Sequence, residues 1–226
     1  MLVEGFPALA AGTNCWVIAP AAGEQCLIVD PGVGVGPQLD EVLARQRLHP
    51  VAVLLTHGHI DHTFSVVPVC EAKDVPAYIA AADRAQLADP WSGLGMPKGT
   101  PLMGVAQLSF AEPADVRELS DGDLITLAGL PLRALATPGH TPGSLSFAFD
   151  AAAIDEDSDV VFSGDTLFAG SIGRMDLPGG SESDMARSLR TVFLPMADGT
   201  VVHPGHGPST TMARERAINP YLRMMT

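Results

Sequence analysis

The sequence predicts an α/β fold in which two packed β-sheets are flanked by helices. Short apolar runs typical of strands alternate with helix-like segments, in two series, one in each half of the chain. The chain has 226 residues, a length at which folding buries about 70–75% of the surface that the unfolded chain exposes. Because no linker, repeat or shift in composition divides the sequence, we expect a single domain over residues 1–226.

In the first half of the chain, three apolar runs predict strands, at residues 15–17, 26–29 and 51–55. The second run ends at Asp30, before a Pro-Gly turn. The third run is continuous, as in a strand that is buried on both faces. A helix is expected after Pro37, where apolar side chains recur about every 3.6 residues.

Two more helices are expected before the middle of the chain, over residues 63–73 and 80–88. Pro68 must kink or interrupt the first of them, because proline removes a helical hydrogen bond. Residues 90–115 are rich in Gly, Pro and Met, and we expect them to form a mobile loop.

The second half begins with a predicted hairpin, whose strands at residues 124–127 and 132–136 are joined through Gly129. Apolar and small side chains alternate over residues 145–149, which is typical of a strand that covers a core on one face. Two further short strands are expected at residues 160–162 and 200–202. A helix is expected to start at Ser181, where the sequence has a capping-box pattern, and another is expected over residues 211–218.

The composition opposes several kinds of partner. The 26 acidic and 13 basic side chains give a formal net charge of −13, which opposes nucleic-acid binding because that binding requires cations that neutralise phosphates. The longest apolar stretches are shorter than the ~20 residues that a membrane-spanning helix needs. We therefore expect neither a nucleic acid nor a membrane as a partner.

The cysteines and the basic residues predict a cytoplasmic protein. Cys15, Cys26 and Cys70 are odd in number and match no zinc or redox motif, so we interpret them as buried thiols of a reducing compartment. The first cationic residue is Arg45, so the basic start of a secretory signal peptide is missing.

The strongest functional signal directly follows the strand at residues 51–55. The segment Thr-His-Gly-His-Ile-Asp-His provides a cluster of candidate metal ligands: His57, His59, Asp61 and His62. The two histidines that flank the glycine can point one way and the Asp-His pair another, which suits two adjacent metal ions. Imidazole favours zinc or iron, and a carboxylate tolerates either metal. A solvated His-rich turn would explain one or two of these residues but not all of them.

Three later strand ends carry further candidate ligands. His140, Asp165 and His206 lie in Thr-Pro-Gly-His-Thr, Ser-Gly-Asp-Thr and His-Pro-Gly-His-Gly, each directly after a predicted strand. Taken singly, each of these sequences is a common kind of turn. Because each candidate ligand follows a short apolar strand, we expect all of them along one edge of the sheets.

These motifs resemble those of the metallo-β-lactamase superfamily, whose signature is H-x-H-x-D-H with further His, Asp and His residues at later strand ends. Within it, the chain is most similar to glyoxalase II and related hydroxyacylglutathione hydrolases. That similarity rests on four segments: residues 164–168, 173–180, 205–211 and 219–220. It spans about residues 12–222 and implies an αβ/βα sandwich, with two mixed β-sheets flanked by helices in four layers.

The resemblance also implies which residues bind the metals. A first ion would be held by His57, His59 and His140, and a second by Asp61, His62 and His206. Asp165 would bridge the two ions. Two divalent ions are implied, with zinc expected and iron or manganese also compatible with such ligands. Asp30 matches the aspartate that orients the ligand loop in this family. A turn-forming role before Pro-Gly explains Asp30 equally well.

The implied reaction is hydrolysis of a small-molecule thioester, in which metal-bound hydroxide attacks the thioester carbonyl. Asp61 and Asp165 are the expected catalytic residues, and Asp61 would also orient the hydroxide. Arg174 stands where glyoxalase II typically has a cation that binds a glutathione carboxylate, although a surface pair with Asp176 is an alternative. Asp176 replaces the tyrosine of glutathione-specific enzymes, and we expect no C-terminal glutathione-binding helical domain.

Other functions fit parts of this pattern. A persulfide dioxygenase of the same superfamily would hold one iron with His57, His140 and Asp165, but its usual cysteine-containing loop is replaced here by Ser-Ile-Gly-Arg. Secreted β-lactamases normally carry Cys in place of Asp165 and need an export signal. RNA-processing relatives need a basic surface. A non-catalytic metal-binding protein would not need an open bridging position.

Overall fold

Two six-stranded β-sheets form the centre of the computed structural model, which describes residues 1–102, 109–154 and 156–225. The strands of the first sheet lie side by side in the order of the sequence: β1 (Leu2–Pro7), β2 (Asn14–Ala19), β3 (Gln25–Val29), β4 (His49–Leu54), β5 (Ala77–Ala80) and β6 (Val116–Leu119). The neighbours β1 to β3 are antiparallel, whereas β3 to β6 are parallel. The first sheet is therefore mixed.

The second half of the chain forms the other sheet and a small hairpin: β7 (Leu124–Leu127), β8 (Leu130–Ala136), β9 (Leu145–Phe149), β10 (Val160–Gly164), β11 (Leu167–Phe168), β12 (Ser171–Ile172), β13 (Val201–Pro204) and β14 (Thr210–Thr211). The spatial order in the sheet is β14-β13-β10-β9-β8-β7, and β11 pairs with β12 outside it. Only β10 and β13 pair in parallel among the described strands of this sheet. The predicted hairpin through Gly129 is present as β7 and β8.

The helices are short and lie between the strands: α1 (Gly36–Gln46), α2 (Ile60–Thr63), α3 (Val66–Lys73), α4 (Ala81–Arg84), α5 (Pro90–Leu94), α6 (Ala151–Ile154), α7 (Glu182–Ser188), α8 (Met212–Ile218) and α9 (Pro220–Arg223). A 3₁₀ turn, Ala85–Leu87, follows α4, and a π turn, Leu189–Phe193, extends α7. Among the described residues, no helix is both long and apolar enough to cross a membrane.

The strand β3 shows how the core is divided into layers. Leu27 and Val29 face the second sheet and join the apolar layer between the sheets. Cys26 and Ile28 point the other way and pack in a layer that includes Leu39 of α1. Successive side chains of a strand point to opposite faces, so an almost continuous apolar run serves both layers.

The second sheet has the same arrangement on its own outer face. Val161 and Val202 pack there with Met185 of α7 and Met212 of α8. The order across the molecule is therefore helices, sheet, sheet and helices. The predicted αβ/βα sandwich with two mixed sheets is confirmed.

Several predicted elements differ in their boundaries. The helix expected over residues 63–73 is divided into α2 and α3, and Pro68 lies in the first turn of α3, where no helical hydrogen bond is lost. The helix expected over residues 80–88 begins after β5 and ends as the 3₁₀ turn. The loop expected over residues 90–115 contains the helix α5, and residues 103–108 of that stretch lie outside the described residues.

Candidate metal centre

The predicted ligands follow the carboxyl ends of four strands. The His57 loop follows β4, His140 follows β8, and Asp165 and His206 follow the parallel pair of β10 and β13. The two sheets meet at this edge, because the amide of Asn14 donates to the carbonyl of Gly205 over 2.6 Å. All of the predicted ligands are therefore brought to one edge of the sandwich.

Three histidines form a first group of candidate ligands. Nδ1 of His59 lies 2.8 Å from Nε2 of His140, and one ligand nitrogen of each of His57, His59 and His140 lies within 4.8 Å of the others. Burial and the charge of His62 lower the pKa of His57, and burial and His140 lower that of His59 to about 4. Neutral imidazole is the form that binds a metal ion.

The second group consists of Asp61, His62 and His206. Nε2 of His206 lies 3.3 Å from Nε2 of His62 and 3.3 Å from Oδ2 of Asp61. Nε2 of His62 lies 3.5 Å from the same carboxylate oxygen. These three side chains converge from the start of α2 and from the loop after β13.

Asp165 lies between the two groups. Its Oδ1 is 3.4 Å from Nε2 of His62, and its Oδ2 is 3.4 Å from Nε2 of His206. The same Oδ2 is 3.6 Å from Nε2 of His140 in the first group. A carboxylate that reaches both groups can serve two neighbouring cations.

The histidines of the second group and the neighbouring carboxylates shift each other's pKa values. Burial opposes protonation of His206, but hydrogen bonds to Asp165 and Asp61 outweigh burial and raise its pKa to about 9. Burial also opposes protonation of His62, yet the charges of Asp165 and Asp61 raise the pKa of this imidazole too. Burial opposes ionisation of both carboxylates, but the charge of His62 and a hydrogen bond from His206 together outweigh burial and lower the pKa of each.

The residues fit divalent cations. Nε2 of His57 and Oδ1 of Asp165 are buried without a hydrogen-bond partner among the described residues, and a buried polar atom without a partner costs about 1–3 kcal/mol. At Gly205 a Cβ atom would lie 2.2 Å from Oδ1 of Asp165, so the space beside this oxygen exists only because residue 205 is glycine. A donor set of imidazole nitrogens and carboxylate oxygens suits metals such as zinc, iron and manganese.

Asp30 is hydrogen-bonded to the loop that carries the first candidate ligands. Its carboxylate accepts hydrogen bonds from the amide of Thr56 over 2.8 Å and from the Thr56 hydroxyl over 2.6 Å. It also accepts from Nδ1 of His62 over 2.9 Å. Because the Thr56 hydroxyl donates to Asp30, it accepts from Nδ1 of His57 at 3.1 Å, which leaves Nε2 of His57 unprotonated. Asp30 has a φ of 50°, a left-handed conformation that aspartate tolerates better than most residues.

Arg174 contacts the centre through its backbone. Its carbonyl accepts a hydrogen bond from Nδ1 of His140 over 2.7 Å, which directs Nε2 of His140 toward the other ligands. The Arg174 side chain is 61% exposed, and its guanidinium binds Asp176 at two points, over 2.6 and 2.7 Å. The surface pair with Asp176 is therefore present in the structure.

Two residues that hydrogen-bond the ligands or the loops that carry them have no signal in the sequence. Asp83, at α4, is buried and accepts from the amides of Gly58 and Gly143, both over 2.9 Å, and from the Thr141 hydroxyl over 2.7 Å. Thr13 donates its hydroxyl to Asp61 over 2.8 Å. Asp83 lies in an Ala-Ala-Asp-Arg sequence that looks like an ordinary solvated helix, so no motif could have identified it.

The histidine that neighbours the site in sequence lies outside the ligand groups. His203 stacks on Phe162 with ring centroids 4.9 Å apart, and its Nδ1 lies 2.7 Å from the Ser209 hydroxyl. Burial lowers its pKa to about 4. These contacts indicate that His203 has a structural role in packing.

Several known proteins are similar to this chain in sequence or in fold. The chain is 31% identical over 222 residues to the hydroxyacylglutathione hydrolase GloC of Haemophilus influenzae, and the alignment covers 98% of each chain. The crystal structure of BLEG-1 B3 metallo-beta-lactamase is similar with a TM-score of 0.84 and 34% identity, over 98% of this chain and 99% of that one. The crystal structure of TTHA1623 in a di-iron-bound form has a TM-score of 0.77 and 31% identity, over 97% and 100%.

The family profile agrees with these similarities. The profile described as the metallo-beta-lactamase superfamily matches residues 9–217, which include every candidate ligand. The matched region also contains every strand of the two large sheets except β1, which ends at Pro7, before the match begins. The chain therefore belongs to the metallo-β-lactamase superfamily.

Proposed function

We propose that this protein is a binuclear metal-dependent hydrolase that acts on a thioester of a small thiol. The observation that carries the proposal is the arrangement of two complete ligand groups around Asp165, whose oxygens lie 3.4–3.6 Å from nitrogens of both groups. Each group contains three candidate ligands within 4.8 Å of one another. A single metal ion would leave half of these candidate ligands unused.

The metals are proposed to be two divalent ions, with zinc expected. His57, His59 and His140 would hold one ion, and Asp61, His62 and His206 would hold the other. Zinc, iron and manganese all accept nitrogen and carboxylate ligands. The di-iron form of TTHA1623 supports a pair of ions in this fold and keeps iron as an alternative.

When bound, such ions polarise a carbonyl and lower the pKa of a bound water to ~7, so that hydroxide is available at neutral pH. The protein residues hold the reacting groups in place. Asp61 is oriented by the Thr13 hydroxyl, which donates to its Oδ2 over 2.8 Å, so this carboxylate can position the attacking water. Thiolate is a good leaving group, and the reaction therefore needs no strong general acid near the sulfur.

The substrate is proposed to be a small molecule that carries a thioester. The GloC relative supports this class, because its name describes hydrolysis of a hydroxyacyl thioester of glutathione. Arg174 is the candidate contact for a carboxylate of the thiol carrier, provided that the ligand displaces Asp176 from the guanidinium. The net charge of −13 opposes a nucleic-acid substrate.

Two experiments test the proposal together. Elemental analysis of protein purified without added metal should find close to two metal ions per chain. A panel of thioesters that differ only in the thiol should be hydrolysed, with loss of activity on chelation. His140→Ala should abolish hydrolysis, whereas His49→Ala removes an exposed histidine outside the ligand groups and should leave it unchanged.

Two outcomes would replace this proposal by another. A single tightly bound iron with oxygen uptake on a persulfide would indicate a dioxygenase that uses His57, His140 and Asp165. Faster hydrolysis of a β-lactam than of any thioester would indicate a β-lactamase, which is favoured by the similarity to BLEG-1. If His140→Ala changed no activity at all, a metal-binding protein without catalysis would fit better.

A further inference from the structure

A buried carboxylate outside the ligand set lies at the centre of a second polar cluster. Glu215 of α8 is fully buried. Its Oε2 accepts from the amide of Gly170 over 2.7 Å and from Nδ2 of Asn219 over 2.9 Å. Its Oε1 accepts from the Thr210 hydroxyl over 2.6 Å and from Nη1 of Arg214 over 2.9 Å. A buried charge is tolerated only when it is paired and hydrogen-bonded in this way.

The cluster attaches the C-terminal helices to the hairpin of β11 and β12. Gly170 forms the turn of that hairpin with a φ of 78°, a conformation that favours glycine. Nδ2 of Asn219 also donates to the carbonyl of Ser171 over 3.0 Å. Oδ1 of Asn219 accepts from the amide of Tyr221 and caps α9. Two side chains from the helical segment therefore hold both sides of the hairpin turn.

The hairpin and the two residues after it lie against three candidate metal ligands. The ring of Phe168 meets the ring of His206 edge to face, with centroids 6.0 Å apart. A Cβ atom at Gly173 would lie 1.8 Å from the carbonyl oxygen of Asp165, so the chain passes directly over that residue. The next carbonyl, that of Arg174, accepts from Nδ1 of His140.

We propose that Glu215 is a positioning residue of the metal centre. It holds residues 167–174 in place through Gly170 and Asn219, and that segment in turn holds His206, Asp165 and His140 in the arrangement that both metal ions require. The inference rests on the proposed function only in that the two ligand groups bind metal. It does not depend on the substrate.

The alternative is that Glu215 only stabilises the docking of α8. Arg216 provides the matched control, because it attaches the same helix to a different part of the chain. Its guanidinium pairs with Asp198 and donates to the carbonyls of Leu194 and Met196, and none of these partners belongs to the hairpin. Arg216→Ala should therefore loosen the helix without moving residues 167–174.

The test compares metal affinity among four variants. Glu215→Met keeps the length of the side chain but removes both acceptors, so the hairpin loses its contact. Glu215→Gln can turn its carbonyl oxygen toward Gly170 and its amide toward the Thr210 hydroxyl. The half-exposed Arg214 side chain, which donates to the same position in the wild type, can turn to solvent, so Glu215→Gln should restore the contact with the hairpin. Asn219→Ser can still cap α9 but is too short to reach the hairpin carbonyls. Arg216→Ala is the control.

Zinc affinity is measured by competition with a chromophoric chelator, and ligand geometry by the visible absorption spectrum of the cobalt-substituted protein. We expect Glu215→Met and Asn219→Ser to lose about tenfold or more in affinity, the range found when residues that support metal ligands are changed, and to alter the cobalt spectrum. Glu215→Gln should stay within about threefold of wild type. Arg216→Ala should lower the melting temperature but leave affinity and spectrum unchanged.

Wild-type affinity and spectrum in Glu215→Met and Asn219→Ser would overturn the proposal, and so would an equal loss of affinity in Arg216→Ala. If Glu215→Met does not fold, Asn219→Ser decides between the two roles. A wild-type chain that binds no zinc or cobalt would contradict the proposed function together with this inference. Tight binding by the wild type and by every variant would contradict this inference alone.

Discussion

At the scale of single residues, two buried carboxylates, Asp30 and Asp83, hydrogen-bond different parts of the loops that carry the candidate ligands. Asp30 contacts His62 directly and Thr56 beside His57. Asp83 binds Gly58, between His57 and His59, and Thr141, next to His140. Asp83 thus joins the two loops that carry the first ligand group, although they are far apart in the sequence.

Replacement of Asp83 by asparagine should weaken the first group selectively. In either orientation the new amide faces a backbone N–H, of Gly58 or of Gly143. We expect the free energy of unfolding to fall by about 1–3 kcal/mol, as for other buried donors that lose their acceptor, and the tight zinc stoichiometry to fall from two to one. Chelator competition and urea unfolding measure these effects. Asp40→Asn, at an exposed acid that pairs with Lys73, should change neither.

Protonation of His206 predicts how the metal-free protein responds to pH. The pKa of His206 is raised to about 9 in the folded state, above the ~6.5 of an unfolded chain. Its ion pairs with Asp61 and Asp165 therefore contribute fully below pH ~6.5 and are lost as the pH rises toward 9. Urea unfolding without metal should show stability falling across this window. A flat or rising profile in the metal-free protein would contradict the assignment.

At the scale of elements, glycines permit close approach between the loops that carry the ligands. Gly205 precedes His206 and packs directly on Asp165 and His62, which belong to other elements. At Gly36, at the start of α1, an added Cβ would meet no atom of another described element within 4 Å. The two glycines therefore offer a matched pair, one inside the centre and one outside it.

Gly205→Ala should abolish binding at the second metal position while the protein remains folded. The added Cβ would lie 2.2 Å from Oδ1 of Asp165 and 2.6 Å from Cε1 of His62, so at least one of these side chains must move. Elemental analysis and circular dichroism distinguish loss of metal from loss of fold. Gly36→Ala should retain two metals. Two metals in Gly205→Ala would show that the loop has more room than the structure indicates.

The N-cap of α7 connects a helix end with a ligand turn. Ser181 accepts from the amide of Asp184 over 3.2 Å, and its own amide donates to the carbonyl of Gly139 over 2.8 Å. Ser181→Ala should lower the free energy of unfolding by about 1 kcal/mol, since it removes only the side-chain cap. Thermal unfolding measures this change. Ser183→Ala, two residues later and exposed, should have a much smaller effect.

At the scale of the whole molecule, the layer between the two sheets determines stability. Phe147 lies there, fully buried, with side chains from both sheets around it. Phe147→Ala should lower the free energy of unfolding by about 3–5 kcal/mol, the range for large-to-small changes in a packed core. Leu124→Ala, at a side chain that is 66% exposed, should change it by less than about 0.5 kcal/mol. Urea unfolding at constant metal content compares the two.

The sequence by itself determined the fold class and the local ligand motif. The apolar run at residues 51–55 forms most of β4 and the residue after it. It forms a strand because its side chains are apolar on both faces of the sheet. Hydrophobic periodicity is a local property, so it also predicted α1 and the hairpin through Gly129. It missed β5, because Ala-Tyr-Ile-Ala also suits a helix and only pairing with β4 and β6 selects a strand.

Only the tertiary structure decided which distant groups meet. No spacing in the sequence links Asp83 to Thr141, or Glu215 to Gly170, because these contacts depend on how separate elements pack. Arg174 likewise contacts His140 through a backbone carbonyl, which any residue would provide. Side-chain type is encoded locally, whereas distances between chain segments are set by the packing of the two sheets, so the sequence determined the ligand types and the fold determined their arrangement.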